Sequence, residues 1–201
     1  MDVYSLKMVL AGAGSVGKTA LVDRYVNRLF KPAQGADYTM TIGVEPMGKK
    51  IVTNEYIINL SIFDFGGQPH FSFVRKALYQ GANAVMFVFD LTNTESLYKL
   101  SDFFKEHKEN NMRYKTSQVI LVGNKADLEE QIGVVIEQKT IDDFIEDNPD
   151  GRIINYIKTS AKDSTNVDQA FNYLAYKALR AMGHQIKVYQ GQKVKDISEK
   201  I

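Results

Sequence analysis

The sequence predicts an α/β fold, with a mostly parallel sheet of six strands, one antiparallel edge strand and helices on both faces. Short apolar runs alternate with longer amphipathic stretches along most of the 201 residues, as in strands joined by helical crossovers. Near the start, strand-like runs at 45–52 and 56–64 are separated only by Thr53-Asn54-Glu55, which indicates a hairpin and hence one antiparallel pair. Ligands of such sheets bind beyond the carboxyl ends of the strands, so we expect informative residues directly after strands.

Each element follows from its local pattern. Continuous or alternating apolar runs predict strands at 6–11, 45–52, 56–64, 84–89, 119–122 and 153–157. Apolar residues at helical spacing predict helices at 19–28, 71–79, 96–109, 140–146 and 167–182. Thr92 and Glu95 fit a capping box in front of the third helix. We expect one domain over residues 1–183 and a peripheral tail over 184–201, where charges alternate without a core face.

Composition excludes several classes of function. A net charge of +1 gives no strong field to attract nucleic acid or an anionic membrane. No apolar run approaches the ~20 residues of a membrane helix, and residues 1–5 lack the layout of a signal peptide. The chain has no cysteine, which excludes a thiolate nucleophile, cysteine zinc sites and a thioether lipid anchor. We therefore expect a cytoplasmic protein that binds no nucleic acid and meets membranes only through partners or a segment outside this chain.

A glycine-rich segment lies between the first predicted strand and the first predicted helix: Gly12-Ala13-Gly14-Ser15-Val16-Gly17-Lys18-Thr19. Its glycines allow successive backbone N–H groups to point at phosphates and allow the ligand to approach closely. Lys18 can extend its ammonium toward the β- and γ-phosphates, and the Thr19 hydroxyl can ligate Mg²⁺. The following helix adds the positive end of its dipole. The segment predicts a phosphate-binding loop for a nucleoside triphosphate, without saying which base is bound.

A second candidate segment, Asp64-Phe65-Gly66-Gly67-Gln68, follows the third predicted strand. Asp64 can hold Mg²⁺ through the water shell of the ion, and the N–H of Gly67 can meet a γ-phosphate. Gln68 then stands where a residue can orient the attacking water. The segment is weakly specific alone, but its position after a strand and downstream of the phosphate-binding loop favours this function.

Two further segments predict the base. Asn124-Lys125-Ala126-Asp127 follows the fifth strand, and the Asp127 carboxylate can accept from N1–H and the exocyclic amine of guanine. Adenine has no such pair of donors, so facing it with Asp127 would cost a few kcal/mol, by an estimate of about 1–3 per unpaired group. Ser160-Ala161-Lys162 follows the last strand, where the backbone N–H of Ala161 can meet the guanine carbonyl.

These motifs, in this order, resemble those of small GTPases of the Ras superfamily, from Leu6 to about Met182. The resemblance implies a P-loop NTPase fold, the small G domain, that binds GTP or GDP with Mg²⁺. It implies that Thr41 closes on Mg²⁺ and the γ-phosphate, and that Phe30 packs on the guanine. The implied catalytic residues are Gln68, Lys18 and Thr41, and the implied metal ligands are Thr19, Thr41 and Asp64. The residues expected at the nucleotide are Gly14, Ser15, Val16, Gly17, Lys18, Thr19, Ala20, Phe30, Tyr38, Thr41, Gly67, Asn124, Lys125, Asp127, Leu128, Ser160, Ala161 and Lys162.

Within the superfamily, the runs at 42–45 and 78–82 are similar to segments of the Rab branch. Rab proteins end in prenylated cysteines, whereas this chain has no cysteine. Either a lipid anchor lies in a segment outside this chain or the protein acts without a lipid.

Three further departures bear on the switch segments. The stretch from Phe30 to Thr41 is a few residues longer than usual. Pro69 stands where the family commonly has an acidic residue, and it removes a backbone N–H. Phe65-Gly66 is closer to Arf-like or Roco-type GTPases.

The resemblance implies a GTP-binding switch with slow hydrolysis that regulates partner proteins in trafficking or signalling. Effector, activating and exchange proteins are expected at switch I (30–45) and switch II (64–80) of a monomer. No residue is clearly placed as an arginine finger in cis, so fast hydrolysis is expected to need a partner. A P-loop kinase or ATPase is the rival enzyme, and Asp127 argues against it. The other alternative is a scaffold that binds GTP or GDP without efficient hydrolysis, which Pro69 and the long switch I make conceivable.

Some polar and aromatic residues receive no catalytic role. His70 lies beside switch II and is interpreted as a surface residue, and His107 and His184 are expected to be solvated. The aromatic residues of the predicted second helix suggest either a partner surface or partial burial under switch II, with equal weight; they are Phe71, Phe73 and Tyr79.

Overall fold

The computed structural model describes residues 1–30, 44–53, 55–65, 72–133, 135–184, 189–190 and 193–194. Its strands are β1 (Asp2–Ala11), β2 (Val44–Val52), β3 (Tyr56–Phe65), β4 (Ala84–Asp90), β5 (Gln118–Asn124), β6 (Ile153–Lys158), β7 (Tyr189–Gln190) and β8 (Lys193–Val194). Its α-helices are α1 (Lys18–Asn27), α2 (Ser72–Tyr79), α3 (Thr94–Tyr98), α4 (Leu100–Asn110), α5 (Glu129–Ile132), α6 (Gln138–Asp147) and α7 (Val167–Ala181). Short 3₁₀ turns cover Ala126–Leu128 and Pro149–Gly151.

The main sheet of the described chain has six strands in the order β2-β3-β1-β4-β5-β6. The β2–β3 hairpin is antiparallel, and the other neighbouring strands are parallel. The predicted fold class is therefore confirmed. Because β1, β3, β5 and β6 run in one direction, the segments that follow them leave from the same edge of the sheet.

Two apolar layers cover the sheet, one on each face. Neighbouring residues of β1 point to opposite faces, so Leu10 joins the layer with α1 and α7, whereas Val9 joins the layer with α2, α3 and α4. In the first layer, Tyr25 stacks on Phe171, with ring centroids 4.3 Å apart. Every residue of β4 is buried, which explains its continuous apolar run.

The predicted helix at 96–109 is two helices in the structure, α3 and α4, with Lys99 at the junction. Thr92 is not the N-cap, so the predicted capping box is wrong. Asn93 is the N-cap, and its side chain accepts from the backbone N–H of Ser96. The Thr92 hydroxyl instead donates to Asp90 Oδ1, 2.7 Å away, at the end of β4.

β1 also begins four residues earlier than predicted. The residues at its start, Asp2 to Ser5, precede the apolar run and pair with Tyr56 to Asn59 of β3, so backbone pairing continues beyond that run. The pattern of apolar residues marks only the part of β1 that the helices cover.

The expectation that His107 is solvated is wrong, because the side chain is fully buried on the inner face of α4. Its ring lies against Tyr79, Phe87 and Tyr114, with centroid distances of 5.4, 6.0 and 5.4 Å. Asn111 Nδ2 lies 3.0 Å from His107 Nε2. Helical spacing places residue 107 on the same face as Phe103 and Phe104, a signal that outweighs the polarity of the residue type. His184 is half-buried, with its ring 4.4 Å from that of Tyr4.

Burial of His107 predicts a specific loss of stability in acid. Burial, and to a lesser extent the charge of Arg152, lowers the pKa of His107 from 6.5 to about 4. Because the unfolded chain binds this proton more readily, stability falls as the pH drops from about 6.5 to 4, by roughly 3 kcal/mol. His107→Gln removes the titration, so its unfolding free energy, measured by urea denaturation at pH 7 and 4.5, should fall less than that of the wild type. An equal loss of unfolding free energy in the two proteins between pH 7 and 4.5 would contradict the lowered pKa of His107.

Candidate functional site

The loop after β1 is shaped by two glycines in positive-φ conformations. Gly12 has φ +150°, and a Cβ there would lie 2.1 Å from the carbonyl oxygen of Val88 in β4. Gly17 has φ +94°, and a Cβ there would lie 2.3 Å from Asn124 Nδ2. The loop therefore approaches its neighbours more closely than any residue with a side chain allows. Gly17 is the N-cap of α1 and offers no capping side chain, so the first turn presents N–H groups to a ligand or solvent.

Lys18, the first residue of α1, folds back over this loop. Its Nζ donates to the carbonyl oxygens of Gly12 and Ala13, at 3.0 and 2.8 Å, and the residue is 6% exposed. Burial lowers the pKa of Lys18; the carboxylate of Asp64 opposes that shift and the charge of Arg75 adds to it. A phosphate at this loop would supply the negative charge that favours the ammonium form.

Two of the predicted Mg²⁺ residues, Thr19 and Asp64, meet at the end of β3. The Thr19 hydroxyl donates to Asp64 Oδ2, and Asp64 is 2% exposed. Mg²⁺ prefers oxygen ligands and commonly takes one or two from protein, with phosphate oxygens and water completing its shell. An adjacent hydroxyl and carboxylate fit this requirement. The described residues contain no cluster of three or more His, Cys, Asp or Glu side chains that could hold a metal by themselves.

Asn124 joins three of the predicted segments. This residue is 1% exposed, and its Nδ2 donates to the carbonyl oxygen of Val16, 2.9 Å away. Its Oδ1 accepts from the Thr159 hydroxyl and from the backbone N–H of Ala161, both at 3.3 Å. The N–H that we predicted for the guanine carbonyl thus donates to Asn124 here. Asn124 fixes the positions of the loops after β1, β5 and β6 relative to one another.

Asp127, the predicted guanine-binding carboxylate, is oriented by the segment after β6. Its Oδ1 accepts from the Ser160 hydroxyl at 2.6 Å, and Lys162 Nζ lies 3.7 Å from Oδ2. Ser160 is itself fully buried. Asp127 therefore presents its carboxylate in an orientation fixed by a neighbouring loop, as specific base recognition requires.

Asp90 and Arg24 support these segments, and the sequence analysis did not predict a role for either. Asp90 Oδ2 pairs with Nζ of Lys125, 2.6 Å away, and Lys125 has the left-handed conformation at φ 70°. Asp90 ends β4, so the rule that placed the other residues directly after strands could have found it.

Arg24 is the other missed residue. It donates to the carbonyl oxygens of Ala161 and Lys162, both at 2.7 Å, and its guanidinium lies 5.7 Å from the centre of the Phe30 ring. It thereby connects α1 to the segment after β6 and to the aromatic that we predicted at the guanine. The sequence carries no signal for this role, since Arg24 reads as an ordinary polar residue of an amphipathic helix.

Some of the other residues predicted at the nucleotide lie in the described part of the chain, and some do not. Gly14 and Ser15 are exposed in the loop after β1, and Ala20 lies in the first turn of α1. Leu128 ends the 3₁₀ turn that contains Asp127. Four predicted residues lie outside the described part of the chain: Tyr38, Thr41, Gly67 and Gln68.

The aromatic residues of α2 have opposite environments. Phe73 is 82% exposed, whereas Tyr79 is fully buried. Phe71 lies outside the described residues, as do Pro69 and His70. Partial burial is therefore wrong for Phe73, and a partner surface at this position stays a prediction.

Comparisons with known proteins establish the class of protein. The sequence model of the Ras family matches residues 7–180. The Ras-related protein Rab-30 of Homo sapiens is 37% identical over 178 residues, covering 88% of this chain and 81% of its own. The Ypt/Rab-type GTPase ypt7 of Schizosaccharomyces pombe is 34% identical over 181 residues, covering 89% and 84%. The Ras-related protein RABG3a of Arabidopsis thaliana is 33% identical over 190 residues, covering 92% and 88%.

The chain therefore belongs to the Ras family of small GTPases. Within that family it is Rab-like, and it is a GTP-binding P-loop protein with the fold of a small G domain. No helix in the described ranges is long and apolar enough to cross a membrane.

Proposed function

We propose that this Rab-like GTPase is a Mg²⁺-dependent switch that hydrolyses GTP slowly and regulates partner proteins through switch I (30–45) and switch II (64–80). The observation that carries the proposal is the meeting of four predicted residues, on three separate segments, at one edge of the sheet: Lys18, Asp64, Asn124 and Asp127. We take residues 1–183 as the G domain and 184–201 as its tail, and expect a cytoplasmic monomer.

Each residue contributes a distinct physical effect. Lys18 and the N–H groups after Gly17 stabilise negative charge on the β- and γ-phosphates. Thr19, Thr41 and Asp64 would hold Mg²⁺, which neutralises phosphate charge when bound. Asp127, oriented by Ser160, accepts from guanine, and Gln68 orients the attacking water.

The γ-phosphate makes this site a switch. In the GTP state Thr41 and Gly67 contact the γ-phosphate, and its loss releases both segments. Partners that bind the two segments therefore distinguish GTP from GDP. Exchange proteins, activating proteins and effectors are the classes of partner that this mechanism requires.

Single-turnover hydrolysis of GTP tests the proposal. We expect the wild type with Mg²⁺ to hydrolyse GTP at roughly 10⁻⁴ to 10⁻² s⁻¹, and Gln68→Leu to be at least about tenfold slower because the attacking water loses its orienting group. Gln169→Leu, a matched change at an exposed position of α7, should leave the rate within about twofold of wild type.

Tight GTP binding with no turnover dependent on Gln68 would contradict the switch and favour the scaffold that binds without efficient hydrolysis. Turnover by the isolated chain near 10 s⁻¹, the median for enzymes, would contradict slow intrinsic hydrolysis.

A further inference from the structure

A buried ion pair connects α2 to α4. Arg75 Nε and one terminal nitrogen donate to the two carboxylate oxygens of Glu106, at 2.8 and 2.6 Å, so the pair is bidentate. The side chains are only 7% and 17% exposed, which makes it the most deeply buried ion pair of the described residues. The guanidinium also lies 5.3 Å from the centre of the Phe103 ring of α4. This bidentate geometry constrains the orientation of α2 against α4.

The same helix contacts the end of β3. Tyr79, one turn after Arg75, is fully buried and packs edge to face against Phe65, with ring centroids 6.2 Å apart. Its ring also lies 5.4 Å from that of His107 in α4. Phe65 is the last residue of β3 and directly follows Asp64. α2 therefore packs, through Tyr79, against the residue that directly follows Asp64.

Attaching a helix through a buried ion pair carries a large desolvation cost. Removing two charges from water costs several kcal/mol per ion, and apolar residues of similar volume often stabilise a contact equally well. A bidentate Arg–carboxylate pair differs from apolar packing mainly in fixing direction and register. The specific orientation of α2 is thus what the pair contributes.

We propose that Arg75 and Glu106 are positioning residues for the Mg²⁺ site: they hold α2 so that Tyr79 fixes Phe65, and thereby Asp64, beside Thr19. Neither residue contacts the reacting atoms. The inference rests on the proposed function, since it takes Asp64 and Thr19 as the residues that hold Mg²⁺ with a guanine nucleotide.

The test compares two variants with the wild type. The double variant Arg75→Met with Glu106→Leu removes both charges at similar volume and is expected to keep the melting temperature. The control is Lys108→Gln with Asp150→Asn, which removes an exposed ion pair between α4 and the 3₁₀ turn at Pro149–Gly151.

Two measurements are made on each protein. The first is the Mg²⁺ concentration at which release of a fluorescent GDP analogue is half-maximally slowed. The second is hydrogen exchange of the amides of Asp64, Phe65 and α2 in nucleotide-free protein. For the double variant we expect the Mg²⁺ midpoint to rise about tenfold and these amides to exchange about tenfold faster, whereas the control should stay within about twofold.

A double variant that folds with the Mg²⁺ midpoint and amide exchange of the wild type would overturn the inference. A lower melting temperature with an unchanged Mg²⁺ midpoint would also overturn it, because the pair would then be structural only. A wild type that does not retain GDP in a Mg²⁺-dependent way would instead contradict the proposed function. In that case unchanged amide exchange in the nucleotide-free double variant would still refute the positioning by Arg75 and Glu106.

Discussion

Lys18→Met is expected to weaken binding of GTP and GDP by about a thousandfold, the largest effect of any single substitution considered. The ammonium is buried over the loop after β1, bonded to two loop carbonyl oxygens. Without it, phosphates would enter a desolvated site that lacks a compensating cation, at a cost of roughly 4 kcal/mol. Titration of each nucleotide with Mg²⁺ by calorimetry measures the loss.

Lys49→Met is the matched control for this change. Lys49 also donates to two carbonyl oxygens, those of Tyr25 and Val26, at 3.2 and 3.4 Å, but it lies in β2 and outside the predicted site. We expect nucleotide affinity within about threefold of wild type for Lys49→Met. The nucleotide-free Lys18→Met protein should unfold no more than about 1 kcal/mol more easily, because burying a cation is itself costly. Equal nucleotide affinities of the two variants would refute the role of Lys18.

Asp127→Asn is expected to lower affinity for guanine nucleotides by about a hundredfold and to raise affinity for xanthine nucleotides. The Ser160 hydroxyl would still donate to the remaining side-chain oxygen, so the new amide nitrogen would face the base. The N1–H and exocyclic amine of guanine would then face the amide N–H donor of the asparagine, at a cost of roughly 3 kcal/mol. Xanthine carries a carbonyl in place of the exocyclic amine and could accept from that amide.

Competition binding with GDP, XDP and ADP on both proteins measures this exchange of specificity. The xanthine nucleotide serves as the internal control for folding, because a misfolded variant would bind none of the three. An Asp127→Asn protein with unchanged preference for GDP would show that the base is recognised elsewhere.

The fold could be predicted because the apolar sequence patterns of the strands indicate most of its elements. β4 is buried throughout, and its residues are apolar up to Asp90, so its pattern has a single interpretation. The same regularity, with the rule that ligands bind after strands, predicts that Lys18, Asp64 and Asp127 lie at one edge of the sheet. Placement of the site needed the order of elements and not their packing.

Details that depend on competition between near neighbours could not be predicted. Thr92 and Asn93 are both good N-cap residues, and Asp90 decides between them by binding the Thr92 hydroxyl. The sequence likewise cannot show that Lys99 interrupts a helix whose apolar spacing continues across it.

Contacts between side chains that are distant in the sequence could not be predicted either. Arg24 contacts a segment 137 residues later, and Arg75 pairs with Glu106, 31 residues away, so neither contact leaves a local pattern. His107 is a different case: the polarity of histidine predicts a solvated side chain, whereas its helical spacing within α4 correctly predicts a buried one.

One departure from the Rab pattern now has a structural explanation. Phe65 is fully buried, and its ring packs against Tyr79 of α2. A large aromatic at this position provides a contact between β3 and α2, beside the Arg75–Glu106 pair. The unusual residue in the sequence thus belongs to the same arrangement that we propose positions Asp64.

Single-turnover hydrolysis of GTP by the purified chain with Mg²⁺, in the presence and absence of excess ATP, tests the central claim most directly. The account predicts slow turnover that a hundredfold excess of ATP leaves unchanged, because Asp127 finds no donor pair on adenine. Hydrolysis that ATP suppresses in proportion to its concentration would contradict guanine recognition and make this chain a P-loop enzyme of another specificity.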